Sequence, residues 1–97
     1  MKQFRVDRYV VQTLMRDLVQ HDRQPSAFLV YLHMWYQSAG RQARLQASHQ
    51  SLADATGLSK SAVQAAIRTL ARRRLIRATR DAPTAVPAYM VLRPWRR

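Results

Sequence analysis

The sequence contains no cysteine, no glutamate, two lysines and two glycines, and each shortage excludes something. Without cysteine there can be neither a disulfide nor a thiolate-bound zinc, which fits a reducing compartment. The longest uninterrupted apolar run, residues 27–32, falls far short of the ~20 residues that a membrane span requires. Met1 to Arg8 carry charges where a signal peptide needs its apolar stretch, so the expected location is the cytoplasm. There is no nucleophile paired with a base, no carboxylate pair and no glycine-rich phosphate loop, so no enzyme is expected. His21, His33 and His49 do not share a helical spacing, so neither a metal nor another cofactor is expected.

What the chain does contain is arginine. Fifteen Arg and two Lys stand against five Asp in 97 residues, a formal net charge of +12, while 47% apolar residues suffice for one modest core. A GC-rich genome would also enrich arginine, but it would spread the excess evenly. Residues 1–40 carry +2 and residues 41–97 carry +10. The clustering points to a polyanion partner for the C-terminal part.

The N-terminal part reads as helical scaffold. Val6, Tyr9, Val10, Val11, Leu14, Met15, Leu18 and Val19 recur every three or four residues, which predicts a helix with a wide apolar face. After the polar break at 21–24, Pro25 suits the first turn of a second helix and Gly40 its end. Phe28, Leu29, Val30, Tyr31, Leu32, Met34, Trp35 and Tyr36 cover almost its whole circumference. Two such faces exceed what one small core absorbs, so residues 1–40 are expected to supply both core and a homodimer contact.

Residues 48–75 carry the functional signal. Ser48 suits the N-cap of a short helix with Leu52 and Ala53 inward, Gly57 supplies the positive φ of a tight turn, and Ser59 caps a further helix. That helix sets Val63, Ala66, Ile67 and Leu70 on one side and Lys60, Ser61, Gln64, Ala65, Arg68 and Arg72 on the other. Arg pairs with guanine and Gln with adenine in bidentate fashion, and Ala meets a thymine methyl. Residues 75–79 and 88–92 then read as a β-hairpin around a proline-bearing loop, with 44–47 as a candidate third strand.

The pattern Leu52-Ala53-x-x-x-Gly57-Leu58-Ser59-Lys60-x-x-Val63-x-x-Ala66-Ile67-x-x-Leu70, followed by Leu75-Ile76 and a hairpin, resembles the bacterial winged helix-turn-helix domain of GntR-like regulators and related plasmid and phage replication modules. The resemblance covers residues 44–92. It implies an α+β, mainly α fold: a winged helix-turn-helix with an N-terminal helical extension, a recognition helix at 59–73 and a wing at 76–92. Residues 93–97 are left as a basic tail of this single domain. The sequence departs from the family at Arg74, where a glycine commonly ends the recognition helix. Either the turn differs or Arg74 takes a left-handed conformation.

The expected function is sequence-specific binding of double-stranded DNA, as a small transcriptional regulator associated with the nucleoid. Lys60, Ser61, Gln64, Ala65 and Arg68 are the expected base readers. His49, Ser51, Ser59, Arg72, Arg73, Arg77 and Arg80 are expected on the phosphate backbone or in the wing. A winged-helix protein-interaction module and a replication accessory protein are the alternatives. RNA binding is disfavoured because the C-terminal part offers no exposed aromatic platform. No membrane or small-molecule partner is expected.

Overall fold

The computed structural model describes residues 3–96. An N-terminal helix spans residues 8–21, followed by helix α1 (Pro25–Ser38), strand β1 (Arg44–Gln46), helices α2 (His49–Thr56) and α3 (Lys60–Arg72), and strands β2 (Ile76–Thr79) and β3 (Ala88–Val91). The fold is a small, mainly helical α+β arrangement. Its three strands form one antiparallel sheet in the order β1-β3-β2. The candidate strand at 44–47 is thus real and pairs with β3, Arg44 opposite Met90 and Gln46 opposite Ala88.

The N-terminal helix is not the plain α-helix that the periodicity suggests. Val10–Leu14 and Asp17–His21 are π-helical. Its buried residues Val10, Leu14 and Leu18 repeat every four positions. A strict four-residue repeat outruns the 3.6 residues of an α-helical turn and would spiral off the packed face; wider turns bring it back. One straight row is buried as a result, whereas Tyr9, Val11, Met15 and Val19 stay 39–51% exposed.

Helix α1 is the centre of the molecule and packs against both α3 and the N-terminal helix. Ala27, Phe28, Val30, Tyr31, Met34 and Trp35 are buried, while Leu29 and Tyr36 face outward. Each fully buried large apolar side chain contributes about 1.5–3 kcal/mol. The polar groups of Tyr31, Trp35 and Thr69 carried into this core are satisfied. The Tyr31 hydroxyl donates to the Leu92 carbonyl at 2.8 Å, and the Trp35 indole N–H donates to the Arg5 carbonyl at 2.8 Å. Buried Thr69 of α3 donates to Gln24 Oε1 at 3.0 Å.

Three helices end on a non-glycine residue with positive φ: Arg23, Ala39 and Arg74. The choice left open at Arg74 is settled in favour of the left-handed conformation, at φ 58°. Leu75 N–H reaches Leu70 O at 2.9 Å and Arg74 N–H reaches Ala71 O at 3.0 Å, the two bonds of a Schellman cap. At the end of α1 it is Ala39, not Gly40, that takes the capping position, with Gly40 following at φ 72°. Gly40 has its own requirement, because a Cβ there would stand 2.9 Å from the Trp35 ring.

Residues 93–96, expected as a free basic tail, fold back onto the N-terminal segment. Trp95 donates its indole N–H to Asp7, Arg96 pairs with the same carboxylate, and Arg93 donates to the Gly40 carbonyl at 2.6 Å. The Trp95 ring stacks between Tyr9 and Trp35, with centroids 4.6 and 6.2 Å away. The short segment 93–96 is therefore held by charge, hydrogen bonds and aromatic contact together. Arg97 lies outside the described residues.

Candidate nucleic-acid interface

The helix pair that carries the candidate site is capped as its serines suggest. Ser48 Oγ accepts the Ser51 N–H at 3.0 Å, and the Ser51 hydroxyl donates back to Ser48 O at 2.9 Å. Gly57, at φ 79°, sends its N–H to Ala53 O at 2.9 Å and turns the chain. Ser59 Oγ then accepts the Ala62 N–H at 3.1 Å and starts α3. Ser51 and Ser59 thus have structural roles, although both remain exposed.

With Val63, Ala66, Ile67 and Leu70 turned into the core, α3 presents Lys60, Ser61, Arg68 and Arg72 to solvent. Gln64 and Ala65 lie half-buried among them. Lys60, Gln64, Arg68 and Arg72 follow one another at four-residue intervals, so they share a single face. Across the corner between helices, the Gln64 side-chain amide donates to His49 Nδ1 at 3.3 Å. Burial holds the His49 imidazole below its ordinary pKa, and the nearby Arg80 and Lys60 charges lower it further. The Gln64–His49 contact joins α3 to the start of α2, and the Ala47 N–H, just before α2, bonds Pro87 O at the end of the hairpin loop at 3.2 Å.

The loop 80–87 is shaped by its own contacts. Arg80 donates to Pro83 O at 3.1 Å, and Ala85 N–H closes a turn on Ala82 O at 3.0 Å. Asp81 pairs with Arg44 of β1 at 3.1 Å, which fastens the loop to the neighbouring strand. Both partners are more than half exposed, so the pair adds little stability. Arg77 projects from β2 beside Ala71 and Arg74, at the opposite end of α3 from Lys60. No family model, curated protein or solved structure matches the chain.

Of the twelve expected site residues, Arg73 departs clearly from its expected role. It turns toward the N-terminal helix, 3.5 Å from an Asp22 oxygen and 3.8 Å from an Asp17 oxygen. Asp22 also accepts from His21 Nδ1 at 2.8 Å. In the sequence Arg73 is one of three consecutive arginines, and only the helical phase together with the distant acids distinguishes it. Arg93 and Arg96 are likewise engaged internally. Two residues escaped the sequence reading in their present roles: Arg44, which anchors the loop, and Gln24, which satisfies Thr69. Among the described residues no group of three His, Cys, Asp or Glu could hold a metal ion, and no helix is long and apolar enough to cross a membrane.

Proposed function

We propose that this protein binds double-stranded DNA as a winged helix-turn-helix, with α3 in the major groove and the 80–87 loop against the backbone. The observation that carries the reading is the outward face of α3: Lys60, Ser61, Gln64, Ala65, Arg68 and Arg72, with no acid on it. The element order, helix-strand-helix-helix-strand-strand with β3 central in the sheet, supports the winged arrangement. Lys60, Ser61, Gln64, Ala65 and Arg68 read base edges, whereas Ser51, Arg72, Arg77 and Arg80 meet phosphates. The resemblance of residues 44–92 to bacterial regulators gives the role, a small transcriptional regulator acting at the nucleoid.

The exposed row Val11, Met15 and Val19, together with Tyr9, supports a homodimer through the N-terminal helix. A dimer predicts two half-sites about one helical turn apart. Selection of bound sequences from random duplex DNA tests both readings. With the selected site in hand, Gln64→Ala and Arg68→Ala should each erode discrimination by about 1–3 kcal/mol. Arg80→Ala should weaken selected and random DNA alike and reduce the salt slope by about one. Unchanged discrimination in both α3 variants would remove α3 as the reading helix.

A further inference from the structure

A second basic concavity lies away from the α3 face. It is formed by the N-terminal segment, the end of α1 and the C-terminal turn, encloses about 810 Å³, and is lined by Arg5, Arg8, Arg41, Arg93 and Arg96 with Asp7 as its acid. The sheet register fixes its position. The 80–87 loop and His49 follow the Thr79, Ala88 and Gln46 end of the strands, whereas Arg41 and Arg93 lie beyond the Arg44, Met90 and Val91 end. α1 packs against α3 with its buried face, so the outward side of α3 points away from the groove.

The groove's charge is not balanced from within. Asp7 is occupied by Arg96 and by the Trp95 indole. Arg93 bonds the Gly40 carbonyl, but its Nε is buried without a partner. Arg5 reaches only the neutral Gln3 amide oxygen, and among the described residues Arg8 and Arg41 have no side-chain partner. A second copy of the chain cannot supply the missing negative charge. Of its five acids, Asp7, Asp17, Asp22 and Asp81 already face arginines, which leaves only Asp54. A partner anion would therefore be another kind of molecule, and planar guanidinium forks suit phosphate oxygens best.

We propose that this groove binds the phosphate backbone of a second nucleic-acid segment, distinct from the one that α3 reads. The choice of nucleic acid as occupant rests on the function proposed above; the affinity for phosphate does not. Stiffness explains why the segment is a second one. The protein measures 37 × 28 × 26 Å, and DNA with a persistence length of about 150 bp does not curl around so small a body. Both faces occupied together would link two duplex segments through one chain.

Of the protein's two tryptophans, Trp35 lines this groove and Trp95 stacks on Trp35, so intrinsic fluorescence reports the groove's occupancy while NMR of the α3 amides reports the other face. The full chain is titrated with a duplex of about 12 bp, little more than one helical turn. The expected result is a saturable change in tryptophan emission and two duplexes per chain. Arg8→Ala/Arg41→Ala, at two exposed and unpaired positions, should weaken the fluorescence phase about tenfold and leave the α3 shifts intact. Gln64→Ala/Arg68→Ala should do the reverse. Shifts in α3 with silent tryptophans would overturn the groove and spare the α3 reading; responsive tryptophans with a silent α3 would do the opposite. A response to inorganic pyrophosphate but not to the duplex would overturn nucleic acid as the occupant. An unaltered response in Arg8→Ala/Arg41→Ala would overturn the groove.

Discussion

Gln64 donates its side-chain amide to His49 Nδ1 across 3.3 Å, which joins the middle of α3 to the start of α2. An amide nitrogen can only donate, so Nδ1 accepts and the neutral ring carries its proton on Nε2. Protonation of His49 would set two donors against each other. Gln64, a proposed base reader, is therefore oriented by a titratable group whose pKa burial holds below its ordinary 6.5.

The pH dependence has a definite sign. His49 has a folded pKa below its ordinary 6.5, so the fold is unaffected by this group above that value and loses stability as pH drops below it. A nearby DNA phosphate favours the imidazolium, so binding takes up a proton. At fixed salt, affinity should rise as pH falls toward the lowered pKa of the free protein, by up to about tenfold per unit of induced pKa change. His49→Ala should flatten the profile. An identical pH slope in the variant would place His49 outside the contact.

Arg72 and Arg73 are neighbours with opposite expected behaviour. Arg72→Ala should leave thermal stability within about 0.5 kcal/mol and weaken DNA binding at every sequence. Arg73→Ala strips Asp22, whose side chain is only 10% exposed, of its arginine. It should cost roughly 1–2 kcal/mol of stability and leave the salt slope unchanged. Urea denaturation and salt-dependent titration of both variants separate the two effects.

Arg74 bears a left-handed backbone that costs a non-glycine residue about 1–2 kcal/mol. Arg74→Gly removes that cost but loosens the unfolded chain by about 0.4–1 kcal/mol, for a net gain of up to about 1 kcal/mol. Differential scanning calorimetry should show Tm rising by a few degrees. A fall in Tm would mean that the Arg74 side chain contributes more than its backbone costs.

Asp7 gives the molecule an acid-sensitive closure. The Arg96 guanidinium beside it, helped by the Trp95 indole and the Arg93 charge, outweighs burial and holds its carboxyl below the ordinary 3.8. A depressed folded pKa means stability that is present above 3.8 and lost as pH falls through the folded value. Asp7→Asn keeps an acceptor for Trp95 but loses the charge. The variant should be about 1 kcal/mol less stable at neutral pH, and the acid-induced change in tryptophan emission should shrink.

Local chemistry was legible from residue order. Ser48, Gly57 and Ser59 each act within three or four positions of themselves, and the period of Val63, Ala66, Ile67 and Leu70 decides which face of α3 is left for Lys60, Gln64, Arg68 and Arg72. Periodicity alone did not show the π-helical turns at Val10–Leu14 and Asp17–His21, because an apolar face is equally visible in either kind of helix. Ala39 rather than Gly40 at the helix cap was hidden for a similar reason: the glycine is needed for clearance from Trp35.

Composition and motif by themselves determined a mainly helical fold with a basic C-terminal part and a capped helix pair, since these depend on contacts a few residues long. Only the tertiary structure decided what the individual charges do. Arg73 finds Asp17 and Asp22, Arg96 finds Asp7, and Arg44 finds Asp81, across separations of 37 to 89 residues for the hydrogen-bonded pairs. Formal charge is counted along a chain, but Coulomb interaction falls with distance through space, so pairing waits on the fold. Among the described residues, the fold leaves the arginines of α3, and Arg8 and Arg41 of the groove, without an acidic partner.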